Sequence, residues 1–245
     1  MQALKPKVLL LHPGTQYSFA MARELYERGL LMKFCTGLAY TEGGFLSIIA
    51  TLFPELRKRK LEGVPGRMIR LFPMLEIQAV LKMRRTPFWE DILFQRNQTF
   101  QNKIPDSLIL EADIVIGFDT ASWIIAQRCK KLNRKFILDV SIGHPVSKEI
   151  IYQKLADQYP AWADQVIPKE QFLIEKECIE MDLADKIAVP SEFVKQTYIE
   201  NGIDASKIVV NNFGTDISDF YARPKTLTLS EELVFLFLGS LNVRK

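Results

Sequence analysis

Several apolar runs of this sequence are typical of buried strands. They are followed by polar residues whose side chains could bind or react with a ligand. Asp119 comes directly after the run 112–118, and His144 follows the run 135–141 and precedes Pro145. The Asp119 carboxylate could accept a hydrogen bond from a bound hydroxyl group, or it could cap the helix that follows. A neutral imidazole offers one donor and one acceptor for the polar groups of a ligand, although His144 could equally make a structural bond in its loop. The ends of the apolar runs are therefore candidates for a ligand site.

Short apolar runs alternate with segments of helical periodicity along most of the chain. The predicted strands cover residues 7–12, 30–35, 112–118, 135–141, 186–190 and 207–212, and the predicted helices cover residues 17–29, 120–133 and 191–202. Strands that are apolar on both faces and are separated by crossover helices are typical of a doubly wound parallel sheet. We therefore predict an α/β, Rossmann-like fold, in which ligands bind at the carboxyl ends of the strands.

Residues 181–220 are the most informative stretch, because they predict a strand, a helix, a second strand and a glycine turn in succession. Ser191 is expected to cap the amino terminus of the helix, and Gly202 is expected to end it. After the second strand, Asn212 and Gly214 are expected to occupy positions that tolerate a positive φ angle.

The order of these features resembles the retaining glycosyltransferases of family 4, which have the GT-B fold. The pattern Ala-Asp, apolar strand, Ser, helix, Gly, Lys-Ile-Val-Val and Asn-x-Gly-x-Asp in residues 181–220 is similar to the end of the family's N-terminal domain. "KVLLLHPG" with "AMARELYERG" resembles the first strand, glycine loop and helix, and "ADIVIGFD" and "FILDVSIGHP" resemble two later strands. "FLFLGSLNVRK" resembles the first strand of the second domain.

This resemblance implies transfer of a sugar from a nucleotide-sugar donor to an acceptor, with retention of configuration and with no metal or cofactor. It places Gly14, Thr15 and Gln16 in the loop that faces the cleft between two domains, where they would bind the acceptor or the transferred sugar. It also implies a catalytic role for His144 beside the donor sugar, and it allows Asp119 to hydrogen-bond an acceptor hydroxyl. The implied acceptor is a carbohydrate or a lipid-linked molecule.

The resemblance also concerns the end of the chain. Three residues at and just beyond the end of strand 207–212 are expected to shape the turn at the cleft, namely Asn212, Gly214 and Asp216. Ser240, Arg244 and Lys245 fall where the family binds the donor diphosphate. The family usually has arginine at the position of Ser240, so phosphate binding would depend on Lys245 with Arg244 beside it, because charge-assisted contacts to phosphate are the strong ones.

The same resemblance predicts the domain organisation. Residues 1–220 are expected to form the acceptor-side domain, and residues 221–245 are expected to form a linker and the first strand, 233–238, of a truncated donor-binding domain. Most donor-binding groups of the family belong to that second domain, so the chain is expected to be inactive alone.

A basic stretch interrupts the alternation of strands and helices. From Glu55 to Arg85 there are nine Lys and Arg residues against three Glu residues, a net charge of +6, whereas the whole chain has a net charge of +3. It lies in a helical insertion predicted at about residues 45–104. Its basic face could simply be solvated, or residues 55–89 could form an amphipathic surface that contacts anionic lipid headgroups. Nucleic-acid binding is disfavoured because the sequence has no nucleic-acid motif.

Composition narrows the remaining function classes. The sequence has three widely spaced cysteines, Cys35, Cys129 and Cys178, which predict reduced thiols in a cytoplasmic protein rather than disulfides or a zinc site. Peripheral contact with the inner face of the membrane is the alternative location. A non-catalytic module that binds a sugar or a lipid headgroup stays open. A dinucleotide-dependent oxidoreductase is disfavoured because "HPGTQYSFA" lacks the Gly-x-Gly-x-x-Gly spacing.

Overall fold

Seven parallel strands form one sheet in the computed structural model, which describes residues 5–15, 17–41, 57–86, 89–165, 168–214, 217, 221, 235–236 and 238–239. The order of the strands across the sheet is β3-β2-β1-β4-β5-β6-β7. The strands are β1 (Val8–Leu11), β2 (Leu31–Thr36), β3 (Ile69–Leu71), β4 (Ile114–Phe118), β5 (Lys135–Asp139), β6 (Lys186–Val189) and β7 (Ile208–Val210). Every neighbouring pair is parallel, which confirms the predicted doubly wound α/β sheet.

Helices connect the strands and cover both faces of the sheet. They are α1 (Ser18–Glu27), α2 (Pro73–Met83), α3 (Trp89–Lys103), α4 (Asp106–Glu111), α5 (Trp123–Lys131), α6 (Pro145–Gln158), α7 (Gln171–Leu183) and α8 (Glu192–Glu200). Short 3-10 turns lie at Gly66–Met68, Pro160–Gln165 and Ala205–Lys207. Ser191 caps α8, since its hydroxyl accepts a hydrogen bond from the Val194 N–H, and Gly202 follows the helix with a φ of +88°.

Strand β1, an interior strand next to β4, shows why the sheet needs helices on both faces. Leu9 and Leu11 belong to the larger core cluster with helices α3, α5 and α8, whereas Leu10 packs on the opposite face with α1 and β2. All three side chains are fully buried. Successive residues of a strand point to opposite faces, so a continuous apolar run is the pattern of a strand covered on both sides.

The basic stretch differs from a simple solvated insertion, because it supplies β3 and α2. Helix α2 presents two faces: Glu76 and Ala79 are buried, whereas Met74, Ile77 and Leu81 are exposed by 64%, 41% and 48%. An exposed apolar stripe is therefore present in the part of the chain where an amphipathic surface was predicted, and its contact with anionic lipid stays a prediction. None of the helices in the described part of the chain is long and apolar enough to cross a membrane.

Two local predictions differ from the structure. Asn212 and Gly214 do not adopt positive φ angles; the non-glycine residues that do so in the described ranges are Thr120 and Asn133. The described residues after β7 therefore adopt no left-handed conformation that would need a glycine. Of the predicted strand 233–238, the described residues 235, 236 and 238 are exposed and belong to no strand, and the others lie outside the described residues.

We expect Gly117→Ala to destabilise the fold, because an added Cβ would lie 2.8 Å from the Ser122 Cβ and 3.0 Å from Phe136 Cε2 in the centre of the sheet. Overpacking at such a position should lower the free energy of unfolding by about 1–3 kcal/mol in a urea titration. Gly214→Ala is the matched control, since an added Cβ meets nothing within 4 Å there, and it should change stability by less than about 0.5 kcal/mol. Equal stability of the two variants would contradict this account of β4.

Candidate functional site

A cleft of about 490 Å³ opens at the carboxyl ends of β1 and β4. The chain runs from β1 outward to β2 and β3 on one side of the sheet and then continues with β4 on the other side, so the cleft lies where the strand order reverses. Open α/β sheets bind their ligands at this switch point. The loop after β1 contributes His12, Gly14 and Thr15, and the loop after β4 contributes Thr120 and Ala121.

Helices α2, α3, α5, α6 and α7 supply the walls of the cleft. One part of the wall is aromatic: the rings of Phe94 and Trp123 stack with their centroids 5.1 Å apart and an angle of 2° between their planes. The other part is charged and includes Arg59, Glu76 and Arg96. A cleft with an apolar wall and a few converging polar groups is the usual form of a small-molecule site.

Thr120 forms the turn between β4 and α5 and adopts a left-handed conformation, with a φ of 65°. This conformation is unfavourable for a residue with a branched side chain, so the surrounding contacts must hold it. The Thr120 N–H donates to Glu180 Oε2 at 2.9 Å, and the Thr120 carbonyl accepts from Asn97 Nδ2 at 2.8 Å. The Ser122 N–H donates to the other oxygen of Glu180. Side chains from α7 and α3 thus fix the turn from both sides.

A buried carboxylate lies between two arginines at the wall of the cleft. Glu76 is 2% exposed, and its two oxygens accept hydrogen bonds from Arg59 Nη2 at 2.7 Å and from Arg96 Nη1 at 3.1 Å. Arg96 also donates to the Asn97 side-chain oxygen through Nε and Nη2. The ion pairs of the wall are therefore connected through Asn97 to the strained turn at Thr120.

His12 ends β1 beside this cluster and is uncharged at neutral pH. Burial, with smaller contributions from the nearby positive charges of Arg96 and Arg59, lowers the pKa of His12 to about 4. The ring packs edge-on against Phe118 with centroids 4.6 Å apart. A neutral imidazole at this place can act as a hydrogen-bond donor and as an acceptor.

Two carboxylic acids lie at the carboxyl ends of β4 and β5. Asp119 Oδ2 accepts from the Ser141 hydroxyl at 3.1 Å, and Asp139 accepts a hydrogen bond from the Tyr17 hydroxyl. Burial raises the pKa of Asp119 to about 6 and that of Asp139 to about 6, and the nearby charge of Asp119 contributes to the second shift. A perturbed pair of carboxylic acids at a ligand-binding edge is a candidate for proton transfer or hydroxyl recognition.

His144 caps α6 and is 4% exposed. Its Nδ1 accepts from the Val146 N–H at 3.3 Å, and its ring packs edge-on against Tyr198, while the backbone N–H of His144 donates to Thr197 Oγ1 at 3.0 Å. Burial lowers its pKa, so the ring is neutral near pH 7. Because Nδ1 accepts, the proton of the neutral ring is on Nε2, which is the atom left for a ligand.

The predicted site residues fall into three places. Gly14 and Thr15 line the cleft, whereas Asp119 and His144 lie at the same edge of the sheet without lining it. Asn212 and Gly214 are exposed in the segment after β7. Gln16, Asp216, Ser240, Arg244 and Lys245 lie outside the described residues.

Several residues of the cleft were not predicted from the sequence. His12, Arg59, Glu76, Arg96 and Asn97 line it, and Glu180 holds the turn at Thr120 beside it. His12 carried a usable signal, because it follows an apolar strand in the same way as Asp119 does. Arg59 is in a turn and the others are on helices, and no local pattern distinguishes a Glu or Arg that faces a cleft from one that faces solvent.

No known protein family and no curated protein matches this sequence. Among solved structures, the HepE protein of Anabaena in complex with UDP and glucose is 12% identical over 89% of this chain and 47% of its own, with a TM-score of 0.45. UGT2 of Phytolacca americana, complexed with UDP-2fluoro-glucose and pterostilbene, is 10% identical over 88% of this chain and 55% of its own, with a TM-score of 0.46.

The UDP-GlcNAc 2-epimerase of Methanocaldococcus jannaschii is 11% identical over 84% of this chain and 45% of its own, with a TM-score of 0.40. This chain spans about half the length of each of these proteins. Similarity at these identities and TM-scores does not assign the chain to a family.

We expect Glu180→Ala to lower the free energy of unfolding by about 1–3 kcal/mol, because the Thr120 and Ser122 N–H groups would lose their acceptor in a buried place. Urea unfolding at neutral pH measures this change. Glu175→Ala, on the exposed face of the same helix, is the control and should stay within about 0.5 kcal/mol of the wild type. If both variants are equally stable, the turn is not held by Glu180.

We expect Asp119→Asn to change the pH dependence of stability. The folded-state pKa of Asp119, about 6, lies above its ordinary value of 3.8, so the folded state binds the proton more tightly than the unfolded state. The wild type therefore loses this stability as the pH rises through about 6, whereas the variant does not. Between about pH 4 and pH 7.5, the free energy of unfolding of the variant should therefore rise by about 1–3 kcal/mol relative to that of the wild type.

The free energy of unfolding at the two pH values tests this prediction. Asp157→Asn is the control, because the Asp157 side chain lies on the exposed surface of α6. A difference between Asp119→Asn and the wild type that stays constant with pH would contradict the raised pKa of Asp119.

Proposed function

We propose that this chain is the acceptor-side part of a GT-B glycosyltransferase, which transfers a sugar from a nucleotide-sugar donor to an acceptor with retention of configuration. The observation that carries the proposal is the position of the cleft. It opens between the loops after β1 and β4, at the switch point of the sheet. Gly14 and Thr15, which line it, are the residues that the family resemblance assigns to the site of sugar transfer.

The cleft would hold the acceptor, and Asp119 would hydrogen-bond the hydroxyl group that receives the sugar. Asp119 does not line the cleft itself but precedes Thr120, which does, so the proposal requires the acceptor hydroxyl to extend past this rim to the carboxylate. With a pKa of about 6, Asp119 is mostly ionised but weakly basic at neutral pH. It can accept a hydrogen bond and share a proton without holding it permanently.

His144 would contact the donor sugar through Nε2. The hydrogen bond from the Val146 N–H to Nδ1 and the edge-on contact with Tyr198 fix the orientation of the ring, and its neutral form makes Nε2–H a donor to a sugar hydroxyl. A ring that is held by its protein contacts before the ligand arrives loses little entropy on binding.

The departing diphosphate would carry the growing negative charge of the reaction. Cations and helix amino termini stabilise such a charge best when they are already in place. In this proposal Ser240, Arg244 and Lys245 belong to that diphosphate site, and the rest of the donor site belongs to a second domain. The proposed reaction needs no metal or cofactor.

We expect the protein, at the full length that its gene encodes, to release a nucleoside diphosphate from at least one nucleotide sugar when acceptors are added. His144→Asn should reduce kcat by at least about a hundredfold, the scale of a lost transition-state contact, while asparagine preserves the helix cap. A coupled assay for the nucleoside diphosphate measures the rate, and thermal unfolding checks the fold.

Asp204→Asn is the matched control, because Asp204 caps the turn at Ala205–Lys207 before β7, at the opposite edge of the sheet. It should leave kcat unchanged within about twofold. Binding of carbohydrate without release of any nucleoside diphosphate would reject the transferase and favour the non-catalytic sugar-binding module.

A further inference from the structure

We propose that the acceptor bound in this cleft carries an anionic group, a phosphate or a carboxylate, which is held by Arg59 and Arg96. Calling the ligand an acceptor rests on the proposed function. The anion site itself depends only on the charges, burial and hydrogen bonds of the cleft.

The described lining of the cleft has a surplus of positive charge. Its cations are Arg59, Arg96, Lys148, Lys169 and Lys176, and its carboxylates are Glu76, Glu90 and Glu177. Lys169 pairs with Glu177, which removes one charge of each sign from this balance. His12 adds no charge, because its neutral form is the stable one at pH 7.

The surplus positive charge is concentrated around Glu76, because the guanidinium groups of Arg59 and Arg96 share this one carboxylate. The side chains of Arg59 and Arg96 are exposed by only 20% and 12%, so water screens their charges incompletely. A partly buried charge without a counter-charge is costly, and a bound anion would remove that cost.

Arg59 has one donor that no acceptor in the described part of the chain satisfies. Its Nη2 bonds to Glu76, but its Nη1 is buried and has no hydrogen-bond partner within the described ranges. A buried donor without an acceptor costs about 1–3 kcal/mol, and guanidinium groups bind carboxylates and phosphates with two parallel hydrogen bonds. Arg96 is positioned by Asn97 and Glu76, and it contributes its charge from the other side.

The aromatic wall suggests what else the ligand carries. Phe94 and Trp123 are stacked inside the cleft, whereas Trp89 is 49% exposed and lies nearer to solvent. Aromatic faces pack against the apolar face of a ring. A ligand whose anionic group meets the buried arginines can therefore lay a sugar or aromatic ring against this wall.

The test is calorimetric titration of the chain with glucose 6-phosphate, glucuronate and glucose at constant ionic strength. The first two probes carry a phosphate and a carboxylate on the same kind of ring, and glucose is the neutral control. We expect at least one anionic probe to bind about tenfold more tightly than glucose, and the stronger of the two identifies the anion. Equal binding of all three probes, or binding of none, overturns the inference.

Two substitutions should act in opposite directions on the tighter anionic probe. Arg59→Gln should weaken its binding by at least about tenfold, because a cation and the unpartnered donor are lost. Glu76→Gln should tighten it by about threefold or more, because the competing carboxylate is removed. A purely structural cluster would instead weaken binding in both variants, and that result also overturns the inference.

Arg57→Gln is the matched control, because Arg57 belongs to the same basic stretch but is exposed. Its probe affinity should stay within about twofold of the wild type, and circular dichroism checks that each variant is folded. If Glu76→Gln does not fold, Arg59→Lys takes its place: it should keep part of the affinity that Arg59→Gln loses, because the charge remains. Loss of affinity equal to that of Arg59→Gln would count against an ionic site.

The outcomes for this inference and for the proposed function are separable. Anion binding by a protein that releases no nucleoside diphosphate would support the anion site and reject the transferase. Sugar transfer by the full-length protein, without any preference of this chain for anionic probes, would support the transferase and reject the anion site.

Discussion

The turn at Thr120 is the constraint on which the candidate site depends. Its left-handed backbone places a β-branched residue in an unfavourable conformation between the central strand β4 and helix α5. Glu180 from α7 and Asn97 from α3 hold it through the main-chain N–H and carbonyl groups. Since these helices also form walls of the cleft, the hydrogen bonds that fix the turn also fix the cleft.

The hydrogen bonds around Thr120 connect groups that are far apart in the sequence. From Glu76 the contacts run through Arg96 and Asn97 to Thr120, and from there to Glu180. Every member is charged or polar and most are buried, so the loss of one partner would leave another polar group unsatisfied. Such a network resists partial change, and it gives the cleft a single arrangement of its charges.

The strands of the sheet could be predicted from the sequence because their residues are apolar without interruption. The runs around Leu9 and Val115 mark strands buried on both faces, and the carboxyl ends of these strands locate the binding edge. Strand β3 could not be found in this way, because it has only three residues and the exposed Arg70 lies in its middle.

The cleft itself could be predicted only in part, for a physical reason. On the buried face of α7, Glu177 and Glu180 occupy positions where an ordinary amphipathic helix has apolar residues, so the apolar periodicity is lost. Glu76 does the same on α2. Buried carboxylates contradict local rules because their partners come from other elements, and such contradictions are expected at functional sites.

The placement of charge on the two sides of Thr120 gives the site a direction. The arginines around Glu76 lie on the cleft side, whereas Asp119 and Asp139 lie at the edge of the sheet, where burial keeps their pKa values near 6. A ligand with one anionic end would be attracted by the arginines and repelled by the two aspartates when these are ionised. The neutral end of that ligand would then point toward Asp119. In the proposed reaction this orientation presents a hydroxyl group, and not the charged group, to the position where the sugar arrives.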